Sequence, residues 1–216
     1  MQSTGKKRVA IVDYRMGNLF SVARACENVG LDMVITSDRE VILKADAVIL
    51  PGVGAFGDAM DNLKDLDLVE PLKDCVRAGK PFLGICLGFQ LLMTESEEFG
   101  THQGLDIFKG RVVKFPAGKV PQVGWNRVHS GREGGFEGTL LNGVSPGEYM
   151  YFVHSYYVAP ESAEATLSVT TYEGVEYCSS LASGRVFACQ FHPEKSAGPG
   201  LQVYKNFRSL IEGKEK

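Results

Sequence analysis

The sequence predicts an α/β fold: an open, mostly parallel twisted sheet flanked by helices, with additional antiparallel strands in the C-terminal half. Two observations support this class. Over the first hundred residues, short apolar runs rich in β-formers alternate with helical patterns, which is the order expected when helices cover both faces of a parallel sheet. After Thr94 short β runs follow, separated by tight-turn signals such as Glu173-Gly174 and Ser183-Gly184. Strands joined by such turns pair antiparallel.

The individual elements follow from local patterns. Strands are predicted over residues 8–13, 32–36, 47–50, 81–85, 111–115, 149–157, 165–172, 176–181 and 186–191. Helices are predicted over residues 19–29, 39–44, 66–77 and 201–211, and a further apolar helix begins at Leu87. Gly30 and Gly79 stop two of these helices, and Ser37 or Asp38 caps another. Without a linker or repeat in between, residues 8–212 are expected to form one domain, flanked by polar tails at 1–7 and 213–216.

Composition and charge exclude several classes of protein. The 216 residues carry a net charge of −3, which favours neither a nucleic-acid nor an anionic-membrane partner. There is no apolar run of about 18 residues, and residues 1–7 lack the apolar core of a signal peptide. The cysteines form no C-x-x-C pair and the histidines have no metal-ligand spacing. We therefore expect a soluble cytoplasmic protein without a metal or cofactor.

The segment 80–93 contains the first candidate for chemistry. A buried strand is predicted to lead into Cys86, and Gly84-x-Cys86-x-Gly88 has the glycine spacing of a nucleophile elbow, the sharp strand-to-helix turn of G-x-S-x-G enzymes. Such a turn lifts the thiol out of the sheet and puts it at a helix N-terminus, where a thiolate is favoured. Taken alone, the segment is explained equally well by a buried structural cysteine.

A histidine–glutamate pair follows the last predicted strand. A catalytic cysteine needs a base for its proton and a group that orients this base. His192 lies where the strand ends, and Glu194 can hold the imidazole as the acid does in Ser-His-Asp systems. A surface His-Pro-Glu turn is the alternative when the segment is taken alone. Because Cys86 and His192 both end strands at one sheet edge, their combination favours a Cys-His-Glu triad.

A glycine-rich loop, Gly52-Val53-Gly54, follows a third strand at the same edge. Acyl chemistry needs donors aimed at the oxyanion of a tetrahedral intermediate, usually two backbone N–H groups. The amide of Leu87 would supply one donor, and the amide of Val53 or Gly54 the other. A phosphate-binding loop is disfavoured, because the sequence has neither GxxxxGK[ST] nor a GxGxxG that opens a helix.

Weaker candidates lie outside these motifs. Gln90 is one helical turn past Cys86, so its amide can face the same pocket. Ser155 and Tyr156 follow an apolar run and offer hydroxyl and backbone groups to a polar ligand, although an ordinary aromatic-rich strand explains them too. Trp125 is expected to be a core or interface aromatic.

The combined motifs resemble those of a known family. Over residues 8–212 the chain resembles the class I (triad) glutamine amidotransferases, on the motifs Pro51-Gly52-x-Gly54, Gly84-x-Cys86-x-Gly88-x-Gln90 and His192-Pro193-Glu194. Within that family, the segments PGVGAF from position 51, VPQVGWN from position 120 and HPEKS from position 192 are similar to those of the glutaminase subunits of imidazole glycerol phosphate synthases.

The resemblance implies a role for each of these residues. Cys86 would be the nucleophile that attacks the side-chain amide of glutamine, His192 the general acid and base, and Glu194 the group that orients His192. The backbone amides already named would hold the oxyanion. Four positions match those that hold the glutamine substrate: Gly52, Gln90, Ser155 and Tyr156. Lys195 matches a position near the subunit interface and the ammonia route.

The resemblance also implies a partner. Ammonia would pass internally to a separate (β/α)8-barrel cyclase subunit in a heterodimer, which makes imidazole glycerol phosphate and AICAR in histidine biosynthesis and gives the complex a lyase activity. The glycines on both sides of Val53 permit a peptide flip. We therefore expect glutaminase activity to rise sharply when the barrel and its nucleotide ligand are bound.

Three other interpretations remain. The chain could serve another synthase, such as those for anthranilate, aminodeoxychorismate or pyridoxal phosphate. It could be a non-catalytic regulatory module that kept the fold, although the presence of Cys86, His192 and Glu194 together argues against this. It could also be a cysteine peptidase or another thiol hydrolase on a related sheet.

Overall fold

The computed structural model describes residues 7–116 and 118–214. Its strands are β1 (Arg8–Val12), β2 (Asp32–Thr36), β3 (Ala47–Gly52), β4 (Phe82–Cys86), β5 (Met93–Ser96), β6 (His102–Gln103), β7 (Phe108–Lys114), β8 (Gln122–Ser130), β9 (Glu148–His154), β10 (Tyr156–Pro160), β11 (Thr166–Tyr172), β12 (Val175–Ser183) and β13 (Val186–Cys189). Its α-helices are α1 (Leu19–Asn28), α2 (Arg39–Lys44), α3 (Phe56–Asp65), α4 (Val69–Arg77), α5 (Leu87–Leu91) and α6 (Ala197–Ile211). Within the described ranges no helix is long and apolar enough to cross a membrane.

The main sheet is parallel at one side and largely antiparallel at the other. Its strand order is β2-β1-β3-β4-β13-β12-β10-β7-β5-β6. In the run β2-β1-β3-β4-β13 all neighbouring strands pair in parallel. The pairs from β13 through β12 and β10 to β7 are antiparallel. A second antiparallel run, β11-β8-β9, branches from β12. This topology confirms the predicted mixed sheet.

Many of the predicted elements are present. The strand at 32–36 and the helix at 39–44 have the predicted bounds. The side chain of Asp38 accepts hydrogen bonds from the amides of Glu40 and Val41, so the predicted cap is confirmed. Gly30 has a φ of 73°, the left-handed conformation in which glycine ends a helix.

The prediction is wrong or incomplete in several places, and the causes are mostly non-local. Helix α3 was missed because Ala55 offers no side-chain cap; instead the amide of Phe56 donates to a carboxylate oxygen of Glu98 at 2.7 Å. The helix predicted over 66–77 begins only at Val69. The strand predicted over 149–157 is two strands, interrupted at Ser155. Strands β5, β6 and β8 were not predicted; β8 has few buried residues and is held by its pairing with β9.

Helices cover both faces of the parallel strands. Successive strand residues point to opposite faces, so Val9 and Ile11 pack with α1 and α6, whereas Ala10 and Val12 pack with α3, α4 and α5. The inner parallel strands β1, β3, β4 and β13 are therefore buried on both sides, as their continuous apolar sequence predicts, whereas β2 forms the edge and is partly exposed. Their carboxyl ends remain as the free edge at which a site can form.

Two glycines allow α5 to lie directly on the sheet. A Cβ atom at Gly88 would overlap the carbonyl oxygen of Leu50 in β3, which is main chain and cannot turn aside. A Cβ atom at Gly84 would lie 3.0 Å from the carbonyl oxygen of Gly88. The elbow motif is therefore also a packing motif, because it brings the first turn of α5 against β3 and β4.

Replacing Gly88 should destabilise the protein. In Gly88→Ala the new methyl group must displace strand β3, and we expect a loss of about 3 kcal/mol in the free energy of unfolding, or failure to fold. Urea unfolding followed by circular dichroism measures this loss. The matched control is Gly198→Ala, where nothing lies within 4 Å of the added atom. A Gly88→Ala variant as stable as the control would contradict this account of the packing.

Candidate active site

Three segments leave the parallel sheet side by side. Strand β4 lies between β3 and β13, with Gly52 opposite Cys86 and Cys189 opposite Ile85. The 52–54 loop, the elbow and the segment that carries His192 therefore meet at one carboxyl edge of the sheet. This is the edge at which ligands bind in open α/β sheets.

Cys86 lies on a strained turn between β4 and α5. Its φ is 55° and its ψ is −108°, a combination that costs a non-glycine residue about 1–3 kcal/mol. The side chain is nearly buried, and its sulfur lies 3.9 Å from the carbonyl oxygen of Val153 and 3.7 Å from Nε2 of Gln190. A cysteine that only fills core volume gains nothing from such a backbone. The geometry therefore favours a reactive thiol over a structural one.

His192 and Glu194 form a buried pair. Nδ1 of His192 lies 2.7 Å from Oε1 of Glu194, and the two side chains are 2% and 1% exposed. A 3₁₀ turn over Pro193–Lys195 folds the glutamate back onto the histidine that precedes it. The carboxylate thus fixes the proton on Nδ1 and leaves Nε2 as the ring atom available for chemistry.

The backbone around His192 is held by strand β9. The amide of His192 donates to the carbonyl oxygen of Tyr151 at 2.9 Å. The buried hydroxyl of Ser196 donates to the carbonyl oxygen of His192 at 2.6 Å and accepts from the amide of Tyr151 at 3.0 Å. Three hydrogen bonds therefore keep the histidine segment in place without any contribution from its side chain.

Electrostatics hold the imidazole in its charged form. Burial alone would lower the pKa of His192, but the negative charge of Cys86, and then Glu194, outweigh burial and raise this pKa well above its usual range. Nε2 makes no hydrogen bond of good geometry within residues 7–116 and 118–214. The attraction between the ring and the Cys86 sulfur is therefore mainly Coulombic in this conformation.

The 52–54 loop is packed tightly at one end and open at its centre. A Cβ atom at Gly52 would overlap the hydroxyl of Tyr14, and one at Gly54 would lie 2.5 Å from Cε of Met16. Val53 between them is 41% exposed. The Tyr14 hydroxyl is buried and has no partner in the described part of the chain. Burial, and next the charge of Cys86, raise the pKa of Tyr14, so this residue is neutral.

Two glutamine amides join the elbow to the neighbouring strands. Nε2 of Gln90 donates to the carbonyl oxygen of Tyr156 at 2.9 Å and to Oε1 of Gln190 at 3.0 Å. The Tyr156 backbone thus meets the amide of Gln90, whereas Ser155, the residue between β9 and β10, is only half-buried.

His154 belongs to the core. It lies among Phe115, Phe152 and Tyr177, and its ring nitrogens contact the carbonyl oxygen of Tyr156 at 2.8 Å and the Tyr177 hydroxyl at 3.2 Å. Burial lowers the pKa of His154 to about 4, so the ring is neutral at pH 7. Among the described residues no group of three or more His, Cys, Asp or Glu side chains is placed to hold a metal ion.

An exposed aromatic patch borders the site. Trp125 is 53% exposed, so of the two expected roles, core or interface aromatic, the core role is excluded. Its ring centroid lies 6.0 Å from that of Tyr151. Nζ of Lys195 lies 5.7 Å from the centre of the Tyr151 ring. Val123 and Tyr149 extend the same ribbon of β8 and β9 and are also exposed. We call these five residues the aromatic patch.

Three residues at the site were not singled out from the sequence. Gln190 could have been noticed as a lone polar residue after the apolar strand Val186–Cys189. Tyr14 gave no such signal, because it meets Gly52, 38 residues away, and nothing local marked the contact of Ser196 with the amide of Tyr151, 45 residues away. Only the fold brings these three residues to the rim.

The class of protein follows from a family comparison. The model of the family described as "Glutamine amidotransferase class-I" matches residues 10–209. The chain therefore belongs to the class-I glutamine amidotransferase family.

Individual relatives narrow the comparison. A relative from Syntrophotalea carbinolica, named "Imidazole glycerol phosphate synthase subunit HisH", is 48% identical over 210 residues, which cover 94% of this chain and 100% of the relative. A relative of the same name from Aquifex aeolicus is 47% identical, with 95% and 98% covered. Among solved structures, a chain of PurLQS from Thermotoga maritima superposes with a TM-score of 0.74 over 96% of this chain and 100% of that chain. At 18% identity, this last likeness concerns the fold alone.

The charge of His192 should depend on Cys86. The usual pKa of a histidine is about 6.5, and the negative sulfur raises that of His192. In the wild type the imidazole should therefore stay protonated well above pH 6.5. Cys86→Ala removes this attraction and leaves burial to oppose the charge, so the ring should lose its proton at a lower pH. Imidazole ¹⁵N chemical shifts followed from pH 5 to about 10 measure both values. His154, neutral in both proteins, is the internal control, and identical His192 titrations would contradict the coupling.

Proposed function

We propose that this chain is the glutaminase subunit of an imidazole glycerol phosphate synthase. One observation carries the proposal: a positive-φ elbow presents Cys86 beside the His192–Glu194 pair, in a chain 48% identical to a HisH subunit over nearly its full length. The subunit hydrolyses glutamine to glutamate and ammonia, and a cyclase subunit uses the ammonia in histidine biosynthesis to make imidazole glycerol phosphate and AICAR.

The first half of the reaction forms a thioester. The Cys86 thiolate attacks the side-chain amide carbon of glutamine, and the carbonyl π-bond electrons move to oxygen. Backbone amides of Leu87 and of Val53 or Gly54 hold this oxyanion. As the tetrahedral intermediate collapses, His192 gives its proton to the leaving nitrogen and ammonia departs. The raised pKa of His192 supports this step, because the ring already carries the proton that the leaving group needs.

The second half hydrolyses the γ-glutamyl thioester. The now neutral His192 takes a proton from water, the resulting oxygen attacks the carbonyl carbon, and the Cys86 thiolate leaves as glutamate forms. Glu194 stabilises the imidazolium that results and keeps Nε2 directed at the reacting atoms. The histidine therefore ends the cycle in the charged state in which it began.

The amino-acid end of glutamine is held by groups beside the elbow. Gly52, Gln90, Ser155 and Tyr156 are the residues we assign to this role. Both nitrogen contacts of Gln90 are to protein acceptors, Tyr156 and Gln190. Its Oε1 accepts no hydrogen bond within the described residues, so it is the atom left for the substrate ammonium group.

The aromatic patch is the proposed docking surface for the cyclase. Exposed aromatic residues are typical of protein interfaces, and this patch includes Tyr151, whose backbone holds His192. We assign Lys195 to the interface and to the ammonia route. A (β/α)8 barrel as the heterodimer partner and internal passage of ammonia complete this proposal.

The same proposal covers the remaining expectations about the chain. Residues 8–212 act as one domain, and the protein works in the cytoplasm. The free state of Cys26, Cys75, Cys86, Cys178 and Cys189 supports a reducing compartment. Binding of the barrel and its nucleotide ligand reorients the 52–54 loop, for which the φ of 107° at Gly54 and the exposed Val53 supply the freedom.

Glutamate release tests the proposed activity. With the cyclase subunit and its nucleotide ligand present, the wild type should release glutamate much faster than the free subunit does. Cys86→Ala should reduce the rate at least about a thousandfold and Glu194→Gln about a hundredfold or more, because the triad acts as a unit. Absence of glutamate in every wild-type sample would overturn the glutaminase assignment. Equal rates with and without the cyclase would refute the coupling, and activation by a different synthase would reassign the acceptor.

Truncating the aromatic patch should weaken the complex. In Trp125→Ala a large exposed ring is lost from the proposed interface, so we expect the Kd for the cyclase to rise about thirtyfold, as for an interface hot spot. Isothermal titration calorimetry measures this value. Ile35→Ala is the matched control, because Ile35 is also an exposed apolar residue but lies on the outer strand β2. Equal Kd values for both variants and the wild type would exclude the patch as the docking surface.

A further inference from the structure

We propose that Gln190 is a catalytic residue: its side-chain amide donates a hydrogen bond to the Cys86 sulfur and stabilises the thiolate. This inference rests on the proposed function and adds a third group to the nucleophile, beside the His192–Glu194 pair. Nε2 of Gln190 lies 3.7 Å from the sulfur, within reach of a hydrogen bond to such a large acceptor atom. Gln190 is fully buried, so water cannot replace this contact.

The neighbouring amide determines which end of Gln190 faces the sulfur. The carbonyl oxygen of Tyr156 can only accept a hydrogen bond, so Gln90 must present its nitrogen there, at 2.9 Å. The same nitrogen then donates to Oε1 of Gln190 at 3.0 Å. With its oxygen engaged, Gln190 directs Nε2 at Cys86. The opposite orientation would set two nitrogens against each other and an oxygen against the thiolate.

The backbone keeps this donor in position. The amide of Gln190 donates to the carbonyl oxygen of Ser179 in β12 at 2.9 Å, which extends the β12–β13 pairing by one residue. Strand β13 also pairs with β4, the strand that ends at Cys86. Donor and sulfur therefore sit on neighbouring strands of one rigid sheet, and little entropy is lost when they interact.

A neutral donor has a use that the charged histidine does not cover. The thiolate is the nucleophile in the first half-reaction and the leaving group in the second. In the first, an N–H group aimed at sulfur favours the thiolate over the unreactive thiol; in the second, it stabilises the negative charge that forms on the leaving sulfur. His192 must exchange its proton during each half-reaction, whereas the Gln190 amide keeps its protons throughout. The sulfur therefore retains one donor whatever the state of the imidazole.

The pH dependence of thiolate formation in the free subunit tests this role without the cyclase or glutamine. Gln190→Met keeps the length of the side chain and removes the donor. We expect the midpoint of the 240 nm thiolate absorbance, and of the rate of iodoacetamide alkylation, to move up by about one pH unit or more. The rate of alkylation near the wild-type midpoint should then fall about tenfold. Gln190→Leu provides a second apolar variant if the first does not fold.

Only the Cys86 thiol should contribute to these two measurements, because the other four thiols stay protonated. Burial, the first cause in each case, raises the pKa of Cys26 and of Cys178 to about 12 and raises those of Cys75 and Cys189. The absorbance of Cys86→Ala serves as the blank, and mass spectrometry locates the alkylated residue.

A buried glutamine elsewhere supplies the matched control. Gln122 on β8 is 2% exposed and its Oε1 accepts from the Tyr177 hydroxyl at 3.0 Å, with no contact to the sulfur among the described hydrogen bonds. Gln122→Leu should leave both midpoints unchanged.

The outcomes separate this inference from the proposed function. If Gln190→Met and Gln190→Leu titrate like the wild type, Gln190 does not stabilise the thiolate and merely supports Gln90. A raised midpoint in a protein that releases no glutamate would uphold the hydrogen bond and defeat the glutaminase assignment. In the active complex, the inference further requires that kcat falls about tenfold while KM for glutamine stays within about twofold.

Discussion

The parallel pairing of β13 with β4 is the contact on which the rest of the site depends. It joins segments about a hundred residues apart in the chain and sets His192 at the edge where Cys86 leaves the sheet. On its other side β13 pairs antiparallel with β12, so the strand that leads to the histidine is also the boundary between the two halves of the sheet. Val186–Cys189 is buried along its whole length, so this boundary is shielded from solvent.

The charged groups at this boundary are stable only as a set. Isolated charges are costly to bury, but paired and hydrogen-bonded ones are tolerated. Glu194 pairs with His192, and His192 is attracted to the sulfur of Cys86. The backbone bonds to Tyr151 and Ser196 fix the turn that makes this possible. Removing His192 would leave two negative groups buried side by side without a positive partner, so this histidine links the geometry of the set to its electrostatics.

The sequence allows prediction where the cause of a structure is local. Gly84 and Gly88 mark the elbow because only glycine permits the close approach of α5 to the strands, and Asp38 marks a helix start because its own side chain provides the cap. Cys86 and His192 were predicted at one sheet edge because each follows the end of a predicted strand. The fold class and the main candidates could therefore be predicted.

Prediction failed where the cause lies elsewhere in the chain. Helix α3 begins with the help of Glu98, 42 residues away, which no local pattern announces. The contact between Gln190 and Cys86 spans 104 residues and exists only because two strands are neighbours. Trp125 is exposed, and the sequence left its role open between core and interface, since composition does not say whether a partner surface covers an aromatic ring. These features depend on tertiary pairing rather than on residue propensity.

The backbone of Cys86 also bears on how such a chain can change over time. A glycine at this position would adopt a φ of 55° without strain, so losing the nucleophile would relax the turn by about 1–2 kcal/mol. Selection for stability alone would therefore favour replacing the cysteine, so its presence indicates selection for a function. In a copy of this domain that no longer needs the function, we expect position 86 to be among the first to change.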